Sequence, residues 1–234
     1  GWPDLDSWDW ETSAKNINFS PDVFNMPCIL NGWFERLISF MDFDSAVVAL
    51  IDEDQKDAVK DLFDKISDLY IKILDKYIEY FPGIDGFNLH DDWGAQKDTF
   101  FSPETTMEMI VPAMKKVTDY IHSKGMFADL HSCGKNEKQV PSMIAAGWDS
   151  WSGQPMNDFD LIYEKYGDQI ILGVVPPELS PEASEEEQRA AAAEYVEKYC
   201  NPDKPTLMGM SLTPLGDAFR EELYKLSRIK YSQV

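Results

Sequence analysis

The sequence predicts an α/β fold in which parallel strands alternate with helices. From about residue 84 onward, short apolar segments alternate with longer amphipathic ones, the pattern of repeated βαβ units. The apolar segments are nearly continuous in hydrophobic residues, as parallel strands covered on both faces require. Hydrophobic residues make up 44% of the 234, which is enough for a sizeable packed core.

The clearest single element is a helix from Asp57 to Phe81, where apolar residues recur at helical spacing until Pro82 and Gly83 end it. Before it, residues 27–37 read as a short apolar strand, a turn and a helix. Residues 1–26 lack clear periodicity and are interpreted as an extended or irregular segment, which leaves residues 27–234 as the folded domain.

After that helix a strand-then-helix rhythm repeats to the end of the chain. Strands are predicted at 84–90, 126–132, 148–154, 169–175 and 205–211, and helices at 102–125, 137–147, 158–168, 184–200 and 216–234. The helix at 102–125 has Ser102 as its N-cap, and Pro112 inside it predicts a kink or break. Including residues 27–30 there are six strand candidates, whereas a (β/α)₈ barrel needs eight, so the pattern alone leaves both an incomplete barrel and a doubly wound sheet open.

Charge and cysteine content exclude several classes of protein. The formal net charge is -21, so the surface repels phosphate, and neither nucleic acid nor an anionic membrane is expected as a partner. Three cysteines in a chain of this length argue against a disulfide framework and for a reducing compartment. With no secretory leader and no apolar run of membrane-spanning length, we expect a cytoplasmic location.

The stretch "FADLHSCGKN" places a histidine and a cysteine at the end of a predicted strand. Residues two apart share one face of a strand, so Asp129, His131 and Cys133 face one way, with Ala128 and Leu130 on the other. Imidazole and thiolate together at a strand end are suitable Zn²⁺ ligands. The alternative is a free buried cysteine beside a hydrogen-bonded histidine, and spacing alone leaves both open.

Two further strand ends carry polar or aromatic residues. In "GFNLHDDWGAQ", Asn88, His90 and Asp92 share a face that leads to the same rim as His131. The alternative is that one of the two aspartates caps the following loop. In "WDSWSGQPMND", Trp151 and Gln154 are candidates for a pocket wall, while the tryptophans of this stretch suit a core equally well.

Taken together, the motifs DDWG, SPE at a helix start and HxCG resemble the uroporphyrinogen-decarboxylase-like superfamily, and within it the corrinoid-dependent methyltransferase branch. The resemblance runs from about Pro27 to the end of the chain. It implies a (β/α)₈ fold of TIM-barrel type with its active site at the carboxyl ends of the strands. The chain begins after the first part of that barrel, so we expect an incomplete barrel whose exposed strand edges favour a homo-oligomer.

The resemblance also implies chemistry and residue roles. It implies methyl transfer between a small methylated substrate, such as a methoxy compound in O-demethylation, and a corrinoid (cobalamin-type) cofactor carried by a separate protein. The branch binds zinc through an HxC pair and a later cysteine. His131 and Cys133 match the pair.

The later cysteine of the branch has no counterpart in this sequence. Near the last strand stand Met208, Met210 and Ser211, and Cys200 lies at a helix end, where it does not face inward. His90 is the expected substitute ligand, with Asp92 and Glu178 as weaker candidates. Further roles expected from the resemblance are catalysis for Asp92 and His131 and substrate binding for four residues: Asn88, Trp93, Trp151 and Gln154.

Two other functions stay open at this point. Uroporphyrinogen decarboxylase acts on a substrate with many carboxylates, so its pocket should contain arginines, and the four arginines here are not at predicted strand ends. A non-catalytic binding member of the family is the other alternative, because one zinc ligand of the branch is missing.

Overall fold

The computed structural model describes residues 2–17, 19–209, 211 and 213–232. Six strands form one parallel sheet in the order β1-β2-β3-β4-β5-β6, so each strand pairs with its neighbour in the chain. The strands are β1 Cys28–Ile29, β2 Gly86–His90, β3 Phe127–His131, β4 Ser150–Ser152, β5 Ile171–Val174 and β6 Thr206–Met208. The fold is therefore of the predicted α/β type, an open sheet that corresponds to an incomplete (β/α)₈ barrel.

Helices connect the strands, as parallel pairing requires. They are α1 Trp10–Asn16, α2 Trp33–Phe40, α3 Phe43–Ala49, α4 Lys56–Tyr80, α5 Pro103–Met109, α6 Val111–Ser123, α7 Val140–Ala145, α8 Phe159–Tyr166, α9 Glu185–Tyr199 and α10 Asp217–Tyr231. Two short 3₁₀ turns, Leu5–Ser7 and Glu137–Gln139, complete the described elements. None of the described helices is both long enough and apolar enough to cross a membrane.

Several local predictions are confirmed. The long helix α4 occupies the predicted position, and the helix predicted at 102–125 breaks into α5 and α6 at Ile110, just before Pro112. The Ser102 hydroxyl accepts a hydrogen bond from the Thr105 amide at 3.2 Å, which confirms the N-cap. Gly125, past the end of α6, has a φ of 70°.

The amino-terminal segment differs from its interpretation as extended or irregular, because it contains α1. Asp9 caps this helix by accepting a hydrogen bond from the Thr12 amide at 3.0 Å. The Trp10 indole is buried and stacks on Tyr80 of α4 with ring centroids 6.1 Å apart. One aromatic anchor therefore fixes a helix too short to show hydrophobic periodicity. The boundary between residues 26 and 27 stays a prediction.

The two faces of the sheet differ in chemistry, and the register explains why. Leu89, Leu130, Trp151 and Leu172 lie side by side on one face and are almost completely buried in the core beneath the helices. The residues between them alternate to the opposite face, as the period of a strand requires. That inner face carries the polar residues, and the site is built on it.

Candidate functional site

The two histidines of the predicted site stand next to each other at the carboxyl ends of β2 and β3. Register pairs His90 with His131, and their rings stack with centroids 4.8 Å apart at 19°. Two adjacent parallel strands thus place equivalent residues at one rim, as the sequence pattern predicts.

Cys133 and Asp92 join the histidines from the loops that follow the two strands. The Cys133 sulfur lies 3.1 Å from His131 Nε2, and the Cys133 amide donates a hydrogen bond to Asp92 Oδ1 at 2.6 Å. Asp92 Oδ1 is also 3.5 Å from His90 Nε2. One ligand atom from each of His90, Asp92, His131 and Cys133 lies within 4.8 Å of the others. We call these four residues the ligand group.

The donor set of the ligand group fits a zinc ion. Zinc in proteins is bound by histidine nitrogen, cysteine sulfur and carboxylate oxygen, usually with four ligands. All four side chains are half-buried, so a cation there would be partly shielded from water without being inaccessible. The resemblance implies His131 and Cys133 as metal ligands, with His90 as the expected substitute for the missing cysteine and Asp92 as a weaker candidate; the structure brings all four together.

Burial favours the neutral forms of Cys133 and His131, whereas His90 behaves differently. Burial, with the charge of Asp92, raises the pKa of the Cys133 thiol to about 12. Burial and the neighbouring His90 lower the pKa of His131, which keeps its imidazole neutral. Burial also acts to lower the pKa of His90, but its hydrogen bond to the Glu35 carboxylate and the charge of Asp92 outweigh that effect and raise the pKa. Binding of zinc would therefore release the Cys133 proton.

Glu35 is a site residue that the sequence analysis missed. It lies in the first turn of α2, and its Oε2 is 2.9 Å from His90 Nδ1. A carboxylate that accepts the Nδ1 proton leaves Nε2 free to act as a ligand and fixes the orientation of the ring. Nothing in the local sequence marks Glu35, because its partner is 55 residues away.

Asp91 explains how α2 is held against the site. It is fully buried and accepts hydrogen bonds from the backbone amides of Phe34 and Glu35 at 3.2 and 3.0 Å, and from the Trp93 indole at 2.9 Å. Burial raises the pKa of Asp91 to about 7, although these hydrogen bonds oppose the shift. The capping alternative for this motif is thus correct in kind, but Asp91 caps the start of α2 rather than the loop that follows it.

Gly94 of the DDWG motif and Gly134 of the HxCG motif allow the loops after β2 and β3 to pack in direct contact. Gly134 has a φ of 93°, and a Cβ there would overlap the backbone of Gly94. A Cβ on Gly94 would in turn come within 2.5 Å of Asn136 Oδ1. Glycine is needed at both positions because the loop after β2 and the loop after β3 touch through their backbones.

A cavity of about 500 Å³ opens on the inner face of the sheet in front of the ligand group. Asn88 and Gln154, both predicted to bind substrate, line it, and so do His90, His131 and Cys133. The Gln154 Oε1 atom accepts a hydrogen bond from the Gly134 amide at 2.8 Å, which joins the wall of the cavity to the HxCG loop.

Trp93 and Trp151 do not line this cavity, which corrects their expected place at a pocket wall. Trp151 sits between two inward-facing serines of β4, so its indole points to the helix side, where it stacks on Phe159. The Trp93 indole is buried beside Phe101 and donates its hydrogen bond to Asp91. Both are core residues that support the site from behind.

Apart from Asp92, the other residues considered as ligands lie away from the ligand group. Glu178 and Ser211 line a separate cavity with Asp158 and Asp160. Met208 and Cys200 lie together among residues of α9 and α10 on the other side of the sheet. Met210 is outside the described residues.

Comparison with known proteins identifies the family. Residues 39–210 match the sequence family described as uroporphyrinogen decarboxylase (URO-D), which is most of the chain. The chain belongs to the uroporphyrinogen decarboxylase family. No curated protein sequence is significantly similar to this family member.

Solved structures show the same fold. The chain is similar to a methyltransferase from Methanosarcina mazei, with a TM-score of 0.63 and 17% sequence identity. The similarity covers 95% of this chain and 63% of that one, so the chain spans less than two thirds of its structural neighbour. The shared fold agrees with the URO-D-like barrel expected from the motifs.

Proposed function

We propose that this chain carries the metal-binding part of a corrinoid-dependent methyltransferase. In this proposal a methyl group moves between a small methylated substrate, such as a methoxy compound, and a corrinoid bound to a partner protein. Family membership and the likeness to a methyltransferase fold support it. The observation that carries it is the convergence of two imidazoles, a thiol and a carboxylate on one rim of the sheet.

Each residue of the site has a role in this proposal. His131, Cys133 and His90 would serve as the three protein ligands of a zinc ion, with Asp92 beside them; bound zinc would supply Lewis-acid chemistry at the heteroatom that carries the methyl group. Asp92 also fixes the Cys133 backbone through its 2.6 Å hydrogen bond. Asn88 and Gln154, which both line the cavity, orient the substrate there.

Uroporphyrinogen decarboxylase is the second candidate, because the matching family carries that description. A substrate with many carboxylates needs cationic partners. Among the described residues that line the cavity there is no lysine or arginine, and acidic Asp129 is present. The chemistry of the cavity therefore favours the methyltransferase. A non-catalytic member of the family would bind a ligand there without turnover.

Metal analysis tests the proposal directly. The purified chain, dialysed after exposure to zinc, should retain about one zinc ion, and His131→Ala and Cys133→Ala should each lose it. Cys28→Ala is the matched control, because Cys28 lines the same cavity but lies outside the ligand group. Equal zinc content in all four proteins would contradict the proposed site.

An activity assay separates the candidate functions. Methoxy compounds are incubated with the zinc-loaded chain and reduced cobalamin, and formation of methylcobalamin is followed by its absorbance. Methyl transfer that requires Cys133 supports the methyltransferase. Zinc-independent decarboxylation of uroporphyrinogen would support the decarboxylase. Retention of zinc without either reaction would support a non-catalytic binding protein.

A further inference from the structure

A second polar group lies deeper in the cavity, one row below the histidines. The register aligns Asn88, Asp129 and Ser150 across β2, β3 and β4 on the inner face. Asp129 is only 5% exposed, and that exposure is toward the cavity, which it lines. Its carboxyl oxygens accept hydrogen bonds from Asn88 Nδ2 at 2.5 Å and from the Ser150 hydroxyl.

These two hydrogen bonds give each carboxyl oxygen of Asp129 one partner. A carboxylate offers about four acceptor positions, so two remain after the bonds to neighbouring side chains. Because Asp129 lines the cavity, these positions are available to a hydrogen-bond donor bound there.

We propose that Asp129 is the substrate-binding residue at the floor of the cavity, where it accepts a hydrogen bond from an ammonium or hydroxyl group of the substrate. This inference rests on the proposed function, in which the cavity takes a small methylated molecule. The donor group stands at the end of the substrate remote from the methyl group. Asn88 supports the same end, because its amide nitrogen is already turned toward Asp129.

The floor of the cavity and the ligand group belong to neighbouring rows of the sheet. Asp129 and His131 are two residues apart on β3, which corresponds to roughly 6.6 Å along a strand. A small molecule in the cavity can therefore reach both Asp129 and the ligand group, and short methoxy compounds are suitable probes.

A purely structural role for Asp129 makes different predictions. The Asp129 carboxyl joins Asn88 and Ser150, and so ties three strands together. If that were its only role, its replacement would lower stability without changing which small molecules bind. Discrimination between ligands that differ only in their donor group distinguishes the two roles.

Three probes of nearly equal size provide the test: 2-methoxyethylamine, 2-methoxyethanol and 1,2-dimethoxyethane. Dissociation constants are measured by ligand-observed NMR on the zinc-loaded chain, on Asp129→Asn and on Ser152→Ala. Ser152 lines the cavity without a hydrogen bond to Asp129 in the described contacts, which makes it the matched control. Zinc content and thermal unfolding are recorded for each protein.

We expect the unaltered chain to bind the amine or the alcohol at least about tenfold more tightly than the diether, which has no donor. The stronger of the two identifies the donor as ammonium or hydroxyl. The preference should disappear in Asp129→Asn and persist in Ser152→Ala. Equal affinities for all three probes in the unaltered chain overturn the inference, and this comparison does not depend on any variant folding.

A preference that survives in Asp129→Asn also overturns it, since an amine bound directly to zinc would behave in that way. Neither result touches the proposed function, which depends on zinc retention and methyl transfer through Cys133. Conversely, loss of zinc from the unaltered chain would contradict the proposed function while leaving the donor preference measurable.

Discussion

Replacement of Glu35 by glutamine tests whether the carboxylate bound to Nδ1 of His90 contributes to metal affinity. The Glu35–His90 pair is 2.9 Å long, with the two side chains only 17% and 22% exposed, so solvent screens it weakly. A hydrogen bond to a charged group contributes about 1.5–3 kcal/mol, and a neutral one about 1 kcal/mol. The difference predicts a loss of zinc affinity of about tenfold in Glu35→Gln.

Glutamine is a suitable replacement because it changes the charge and little else. Glu35 also accepts a weak hydrogen bond from the Gly32 amide at 3.4 Å, and glutamine at this position of a helix can keep that contact. Zinc affinity is measured by competition with a chromophoric chelator. Glu79→Gln, an exposed change of the same charge on α4, is the control. Equal affinities in the two variants would refute the role of Glu35.

Three further predictions concern the framework of the site. Asp91→Asn removes a buried carboxyl whose pKa is raised to about 7. A raised pKa of an acid means that its ionisation opposes folding. The free energy of unfolding of the unaltered chain should therefore fall by about 2 kcal/mol, relative to that of this variant, as the pH rises from about 5 to 7. Urea unfolding at the two pH values measures this difference. Gly134→Ala must strain a positive φ and overlap Gly94, so it should cost about 3 kcal/mol and reduce zinc binding, whereas Gly125→Ala, with open space around it, should cost about 1 kcal/mol. Ser102→Ala should lower the free energy of unfolding by about 1 kcal/mol through loss of the N-cap of α5, without changing zinc binding. Loss of zinc from this variant would contradict the view that α5 does not contribute to the site.

The predictions that succeeded depend on local periodicity. A strand alternates its side chains whatever surrounds it, so the sequence alone placed Asp129, His131 and Cys133 on one face. Parallel neighbours end at the same edge of a sheet, so His90 was expected next to His131, and the register confirms it. The break before Pro112 likewise follows from the chemistry of a single residue.

What the sequence analysis missed involves partners that are distant in sequence, or a strand period that was wrongly applied. Glu35 and Asp91 meet only because α2 docks on the end of β2, which no local pattern encodes. Trp151 was grouped with Gln154, three residues later, although residues three apart cannot share a face of a strand. Alternation with the inward-facing Ser150 and Ser152 would have assigned its indole to the core.

The strands that carry the ligand group determine whether a metal site requires a closed barrel. All four members of the ligand group come from the ends of β2 and β3, which pair over five residues. The family resemblance implies a third ligand near the last strand, but the adjacent His90 makes such a ligand unnecessary for a three-ligand site. The proposed metal site therefore does not require closure of the barrel. The cavity is different, because it extends from Cys28 on β1 to Gln154 after β4, and its remaining walls depend on what covers the inner face. The proposed zinc binding and the proposed turnover can for this reason be tested separately, and a measurement of zinc retention tests the ligand group independently of catalysis.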